Sequence, residues 1–325
     1  NGLFDGKSLW STFDNLRFNF GLRHEEYQQE IDQILTTAGR AGSVGDNTYK
    51  RLIKKGGLSW EYAADHVLWM GMADGWMVPS TGATVTAVYP NYGIQPETSF
   101  TKQIGLRGYF RDWGLSYDVD AYETNIDDYI ASVLCSEAPD SCPGWSALPN
   151  TVNGRPNTTK TSANFSSNPG SVTARGFETS LSFRPHEFVK FDVAHTLVWN
   201  KWDNYNSGSV KLQNVSLSSS PKHHVNGRIT VYPLPGWSIE LETDYLSGYY
   251  TNIQNTDRYA RPMLFNLRTA YKWQNWTLSL QAINLLDTKY SSRVSANAAN
   301  IRSYSGLAGT GDGPFTFRAG LSYQF

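Results

Sequence analysis

No apolar run in the 325 residues approaches the ~18 needed for a membrane-crossing helix, which excludes a helical membrane protein. Charge is also scarce: 18% of residues are Asp, Glu, Lys or Arg, below the roughly 25% of an average soluble domain. The net charge of −1 supplies no concentrated basic face, so nucleic acid is not an expected partner. There are two cysteines, Cys135 and Cys142, seven positions apart among Ser, Pro, Asp and Gly. No histidine stands near them and the spacing is not that of a zinc site, so they suggest a disulfide closing a short loop in an oxidising compartment. No signal peptide opens the chain, which begins Asn1-Gly-Leu-Phe4; either a mature terminus lies there or a large part precedes it.

What the chain has in quantity is aromatic and alternating. Aromatics make up 14%, with 19 Tyr and 11 Trp, although mean hydropathy is −0.45. A membrane-spanning β-strand reconciles these, because only alternate residues must be apolar. The last eleven residues show the pattern. Phe315, Phe317, Ala319, Leu321, Tyr323 and Phe325 share one face, while Thr316, Arg318, Gly320, Ser322 and Gln324 share the other.

The same alternation recurs on about twelve segments. Early examples are Leu16, Phe18, Phe20 and Leu22, then Ile104, Leu106, Gly108 and Phe110, then Leu115, Tyr117, Val119 and Ala121. Later ones include Phe177–Phe183, Val189–Trp199, Val225–Val231, Trp237–Tyr245, Met263–Trp273 and Trp276–Ala282. Short turns are expected near 13–15, 64–66, 111–112, 185–188, 233–236 and 274–275. Long Gly/Ser/Asn-rich loops are expected at 28–49, 78–96, 132–171, 202–221, 249–260 and 286–313. Short turns on one rim and long loops on the other are the organisation of an outer-membrane barrel. Trp113, Trp237, Trp273 and Trp276 fall beside the short turns, where an aromatic girdle would lie.

The inward face carries both signs, with Arg17, Arg23, Arg107, Arg184, Arg228, Arg268 and Arg318 against Asp118, Asp120, Glu178, Asp192, Glu240, Glu242 and Asp244. In an apolar core each would cost several kcal/mol unless paired. A polar lumen, with cross-strand pairing, accommodates them.

At this point specific motifs enter. Trp276-Thr-Leu-Ser-Leu-Gln-Ala-Ile-Asn-Leu-Leu-Asp-Thr-Lys-Tyr290 resembles the N-L-F-D-x-x-Y signature of TonB-dependent outer-membrane receptors, and Gly320-Leu-Ser-Tyr-Gln-Phe325 resembles their last strand. Ile94-Gln-Pro-Glu-Thr98 before Ile104-Gly-Leu-Arg-Gly108, Arg175-Gly-Phe-Glu178 and Phe20-Gly-Leu-Arg23 match in the same order. The resemblance implies an all-β transmembrane antiparallel barrel of 22 strands filled by an N-terminal plug. It also implies uptake of a scarce ligand across the bacterial outer membrane with energy from the TonB complex. Plug, TonB box and about half the strands are not visible here, so residues 1–325 read as the C-terminal part of such a barrel: a fragment, a split chain or a partly determined receptor.

Iron–siderophore is the cargo the resemblance puts first, with oligosaccharide, cobalamin or a passive porin as alternatives. Anionic ferric chelates want guanidinium donors and stacking surfaces. The loop candidates are Tyr89, Tyr92, Trp145, Arg155, Tyr205, Tyr249, Tyr250, Arg258, Tyr259, Arg293, Arg302 and Tyr304. Phe325 is the expected barrel-assembly signal. No catalytic constellation and no cofactor motif stands out. His223-His224 reads as a loop-edge pair or a metal or haem contact. His195 interrupts an outward apolar face, with no outward Ser nearby to make it a lipase site.

Overall fold

The computed structural model describes residues 2–5, 15–32, 44–80, 89, 91, 93–161, 163–297, 299–307 and 314–325. Its strands are β1 (Gly2–Asp5), β2 (Leu16–Asp32), β3 (Val44–Ala63), β4 (His66–Met77) and β5 (Glu97–Phe110). They continue with β6 (Leu115–Leu134), β7 (Thr151–Val152), β8 (Arg155–Pro156), β9 (Asn164–His186) and β10 (Val189–Ser207). Next come β11 (Val210–Ser216), β12 (His223–Leu234), β13 (Trp237–Leu246), β14 (Tyr249–Tyr250) and β15 (Arg258–Tyr259). The last are β16 (Leu264–Trp273), β17 (Trp276–Ile283), β18 (Ser291–Ala296), β19 (Arg302–Leu307) and β20 (Thr316–Tyr323).

One 14-stranded sheet takes the order β1-β2-β3-β4-β5-β6-β9-β10-β12-β13-β16-β17-β20, with β11 paired to β10. Every ladder is antiparallel and joins strands consecutive along that path, so the wall is an up-and-down meander. Without the short β1 and β11, twelve long strands remain. That matches the number the alternation implies, and the fold is the all-β membrane-barrel wall expected.

The ladders place the apolar faces in one continuous band. A single row runs Phe18–Leu58–Met70–Ile104–Ala121–Phe177–Leu197 across six pairings. Several of its large members are exposed, Phe18 by 45%, Met70 by 41% and Phe177 by 49%, and Leu58 and Leu197 are half-buried. Large apolar side chains left uncovered along a whole wall require an apolar solvent, which the hydrocarbon of a bilayer supplies.

Short turns close one rim. Asp65 of the β3–β4 turn accepts from Arg111 of the β5–β6 turn at 2.6 and 3.0 Å. In the β12–β13 turn Gly236 has φ +80 and its ideal Cβ would stand 2.5 Å from the Lys272 carbonyl oxygen, so only glycine lets that turn dock on β16. Trp113 and Trp273 lie exposed beside these turns, and Trp237 donates its indole N–H to Thr269 Oγ1 at 2.9 Å. The aromatic rim is therefore present.

The long loops differ from the expectation. β2 runs to Asp32 and β3 begins at Val44, where 28–49 reads as loop; β9 begins at Asn164, inside the span 132–171. β11 lies inside 202–221, β14 and β15 inside 249–260, and β18 and β19 inside 286–313. Backbone pairing needs no apolar side chain. Above the band both faces are wet, so the strands continue after the period-two signal has faded.

The buried apolar clusters lie in these upper parts. One gathers Tyr89, Val133, Cys135, Ala138, Cys142 and Phe165; the other gathers Val172, Trp202 and Tyr205. Leu280, outward in mid-β17 between Thr269 and Ala319, tests the register. Leu280→Arg is expected to lower folding stability in lipid vesicles by about 2–4 kcal/mol, read from denaturant titration of the inserted protein. An unchanged midpoint would place this face elsewhere.

Candidate functional site

Two surfaces can meet a solute: the inward face of the wall and the loop assembly above it. On the inward face, four charges form one network. Glu240 binds Arg268 at 2.9 Å and Arg228 at 3.6 Å, and Arg268 also binds Glu242 at 2.7 Å. Register explains this, since Arg228 stands opposite Glu242, and Glu240 opposite Arg268. Nearer the loops, Asp244 takes Arg261 at 2.5 Å and His224 at 2.8 Å. Asp192 binds Lys190 at 2.8 Å. Among the described residues Asp118, Asp120, Glu178, Arg107 and Arg318 show no such ion pair, so the inward wall carries charges of both signs outside these pairs.

The loop assembly is organised by the Cys135–Cys142 disulfide. The loop it closes holds Glu137, whose backbone carbonyl accepts from Ser209 N at 3.0 Å and Ser209 Oγ at 3.2 Å. Its side chain accepts from the buried Tyr205 hydroxyl at 2.9 Å. The contact needs Gly208, which sits at φ +55 and whose ideal Cβ would lie 2.2 Å from the Glu137 carbonyl oxygen. Burial raises the Glu137 carboxyl above its ordinary range, and burial with the adjacent carboxylate raises the Tyr205 phenol. Beside this contact a cavity of about 490 Å³ is lined by Asn91, Ser141, Ser167, Asn206 and Ser207 among others.

A second group of loops is tied together by polar bonds. Arg302 of β19 forks onto Asp257 at 2.7 and 2.9 Å and also donates to the Arg258 carbonyl. That guanidinium, with the Thr251 hydroxyl, holds the Asp257 carboxyl down at about 2. Asn252 donates to Thr256 and Asn300, and Asn255 brackets both backbone groups of Ser216 in β11 at 2.9 Å.

The twelve candidates separate by burial. Tyr89, Tyr205 and Tyr249 are buried, and Tyr249 receives the Val294 N–H at 2.8 Å. Trp145 donates to the Lys160 carbonyl, with the Lys160 ammonium over its ring at 5.2 Å. Tyr259 donates to the Ser291 carbonyl and accepts its N–H. Arg302 is committed to Asp257. Arg155, Arg258, Arg293 and Tyr304 are exposed, with Arg258 over the half-buried Tyr250 ring at 5.3 Å. Tyr92 lies outside the described residues. Glu137 and Asp257 were not singled out by sequence, since a carboxylate in a polar loop carries no distinguishing pattern; position inside the Cys135–Cys142 span was the one available signal for Glu137.

A family model for TonB-dependent receptor-like β-barrels matches residues 8–285. Among solved structures, the chain is similar to the copper transporter OprC, at 16% identity and TM-score 0.71 over 97% of this chain and 46% of that one. The siderophore receptor PiuA from Acinetobacter baumannii is similar at 16% identity and TM-score 0.65, covering 90% of this chain and 39% of that one. The ferric yersiniabactin uptake receptor FyuA from Yersinia pestis is similar at 13% identity and TM-score 0.62, covering 96% and 43%. The chain thus spans less than half the length of each. No curated protein matches it in sequence.

Gly208→Ala is expected to detach the disulfide loop from the β10–β11 turn, seen as faster amide exchange at Ser209 with the wall unaffected. Cys135→Ser is expected to loosen the same loop by about 2–3 kcal/mol on the chain-entropy estimate, measured by local exchange or proteolysis. The two carboxylates give opposite pH responses. The depressed Asp257 stabilises its loops above the ordinary value of 3.8, and this is lost as pH falls toward about 2. The raised Glu137 is penalised when ionised, so its contact tightens as pH falls through its raised range. Residue-specific exchange between pH 7 and 3 should show β14, β15 and β19 loosening only at the acid end while Ser209 becomes better protected.

Proposed function

Because this chain belongs to the TonB-dependent receptor-like β-barrel family, we propose that it serves TonB-dependent uptake of a scarce ligand across the bacterial outer membrane, with an iron–siderophore complex as cargo. The observation that carries the cargo reading is the accessible Arg258 guanidinium lying over Tyr250, with Arg155, Arg293 and Tyr304 also exposed in the loops. An anionic, aromatic-bearing ferric chelate is bound by such groups through charge-assisted hydrogen bonds and stacking. Arg302, Tyr249 and Tyr259 act differently: they build the platform on which the exposed groups stand. The mixed charges of the inward wall offer a wet path beneath it. TonB is the energy source, reached through a region outside residues 1–325.

A second reading has its own observation. The 490 Å³ cavity beside the disulfide loop is lined by amides, hydroxyls and backbone. Uncharged hydrogen-bonding groups beside an apolar patch of Phe165 and Ala138 suit a neutral polyhydroxylated ligand such as an oligosaccharide.

Removing one charge-assisted contact typically costs about 1.5–3 kcal/mol, or roughly ten- to a hundredfold in affinity. Arg258→Ala and Arg293→Ala are accordingly expected to weaken ferric-siderophore binding by about tenfold or more, measured by tryptophan quenching on the receptor in detergent. Asn206→Leu should leave it unchanged. Transport of radiolabelled ferric siderophore should cease in a strain lacking TonB. Continued uptake there would instead support a passive pore, and saturable oligosaccharide binding abolished by Asn206→Leu would support the second reading.

A further inference from the structure

Two histidines meet on the outer face of the wall, away from the loop assembly. His195 of β10 stands opposite Val225, and His223, the first residue of β12, stands opposite Leu197. They are diagonal neighbours on the outward face that also carries Phe191, Val193 and Ile229, at its loop-side end. Nε2 of His195 and Nδ1 of His223 are 3.1 Å apart, the ring centroids are 5.4 Å apart and the planes differ by 6°. The centroid separation equals the nitrogen contact plus one ring radius on each side. The rings are therefore almost coplanar and meet edge to edge, one nitrogen carrying a proton and the other presenting its lone pair. The adjacent His224 turns to the other face, where Asp244 holds it.

We propose that this pair binds one divalent d-block ion of the Zn²⁺ or Cu²⁺ class, bridging β10 and β12. Imidazole nitrogen is a preferred donor for these ions, whereas Mg²⁺ and Ca²⁺ prefer oxygen. With metal–nitrogen bonds of about 2.0–2.1 Å, an ion equidistant from both nitrogens at their 3.1 Å separation subtends about 100°, between octahedral and tetrahedral values. Each ring turns by roughly 40° from the edge-to-edge line to bring its lone pair onto that point. In the neutral pair, the ring that donates the N–H moves that proton to its own other nitrogen, Nδ1 of His195 or Nε2 of His223. Two lone pairs then face the ion and no net proton is released. Among the described residues no group of three or more His, Cys, Asp or Glu side chains converges, so water completes the coordination, which the loop-side edge of the apolar band permits.

The backbone ladder already holds the two side chains close, so binding orders the two imidazole rings and not the strands that carry them. The ion fastens the start of β12 to β10 at the base of the segment containing β11. That segment carries the turn on which Glu137 docks, so the ion steadies the disulfide loop from outside the ligand path. The proposal does not depend on the cargo.

The test uses the receptor extracted from native outer membrane, stripped with chelator and placed in lipid nanodiscs. Titration with ZnCl₂ by calorimetry should give one saturable site per chain, and Cu²⁺ should give an electron paramagnetic resonance spectrum with two nitrogen couplings. His195→Gln and His223→Gln should each weaken binding at least tenfold, while His224→Gln should not. Zn²⁺ should raise the thermal midpoint of the wild type and of His224→Gln but of neither other variant; MgCl₂ should raise none. His195→Phe gives a second variant that fills the outward position with an apolar ring should the glutamine fold poorly. Absence of saturable Zn²⁺ binding, binding unchanged in both the His195 and His223 variants, or equal loss in His224→Gln would each overturn the proposal.

Discussion

Inside a bilayer no water is available to a peptide group, so every N–H and C=O of the spanning segments must be paired by the protein itself. The antiparallel ladders meet this demand for the strands between the β1 and β20 edges, and the rest of the architecture follows from it. Once backbone pairing is fixed, side chains can only alternate between lipid and lumen. The outward set becomes apolar and the inward set becomes the place where charge is tolerated. The Arg228–Glu240–Arg268–Glu242 network belongs to the inward set, each member facing its partner because register puts it there.

Above the apolar band the constraint changes. Water reaches both faces, strand pairing continues without an apolar stripe, and stability comes from ordinary means. Small buried clusters form around Cys135–Cys142 and around Val172, Trp202 and Tyr205. Polar bonds centred on Asp257 and Asn252 join the remaining hairpins. Several aromatic loop residues are absorbed into this framework, while others are left exposed on it. Two arginines of these loops differ in this way: Arg302 holds Asp257, while Arg258 is exposed over Tyr250.

The outer face is not uniformly a lipid contact. At its loop-side edge the apolar set gives way to paired groups: His195 with His223 on β10 and β12, and Glu123 with Arg175 on β6 and β9, 2.6 Å apart. A polar side chain is tolerated there because the interface, unlike mid-bilayer, supplies water and headgroups.

The strand number, the two rims, the inward charges, the aromatic girdle and the disulfide were legible in the residues, and the family motifs named the fold. These are properties of period-two alternation and local spacing, which membrane and backbone enforce without reference to distant residues. Strand extensions into 28–49 and 202–221 were not legible, because their pairing is made by backbone alone. Nor could sequence decide which loop aromatics are exposed: Tyr249 is buried and Tyr250 is not, although they are adjacent and alike. His195 looked solitary in sequence since its partner stands 28 positions away. The one-residue parity of each strand was fixed by its own composition. The meeting of His195 with His223 depended on register between β10 and β12, and those of Glu137 with Tyr205 and Gly208 and of Arg302 with Asp257 depended on how the loops pack together, which only the tertiary structure sets.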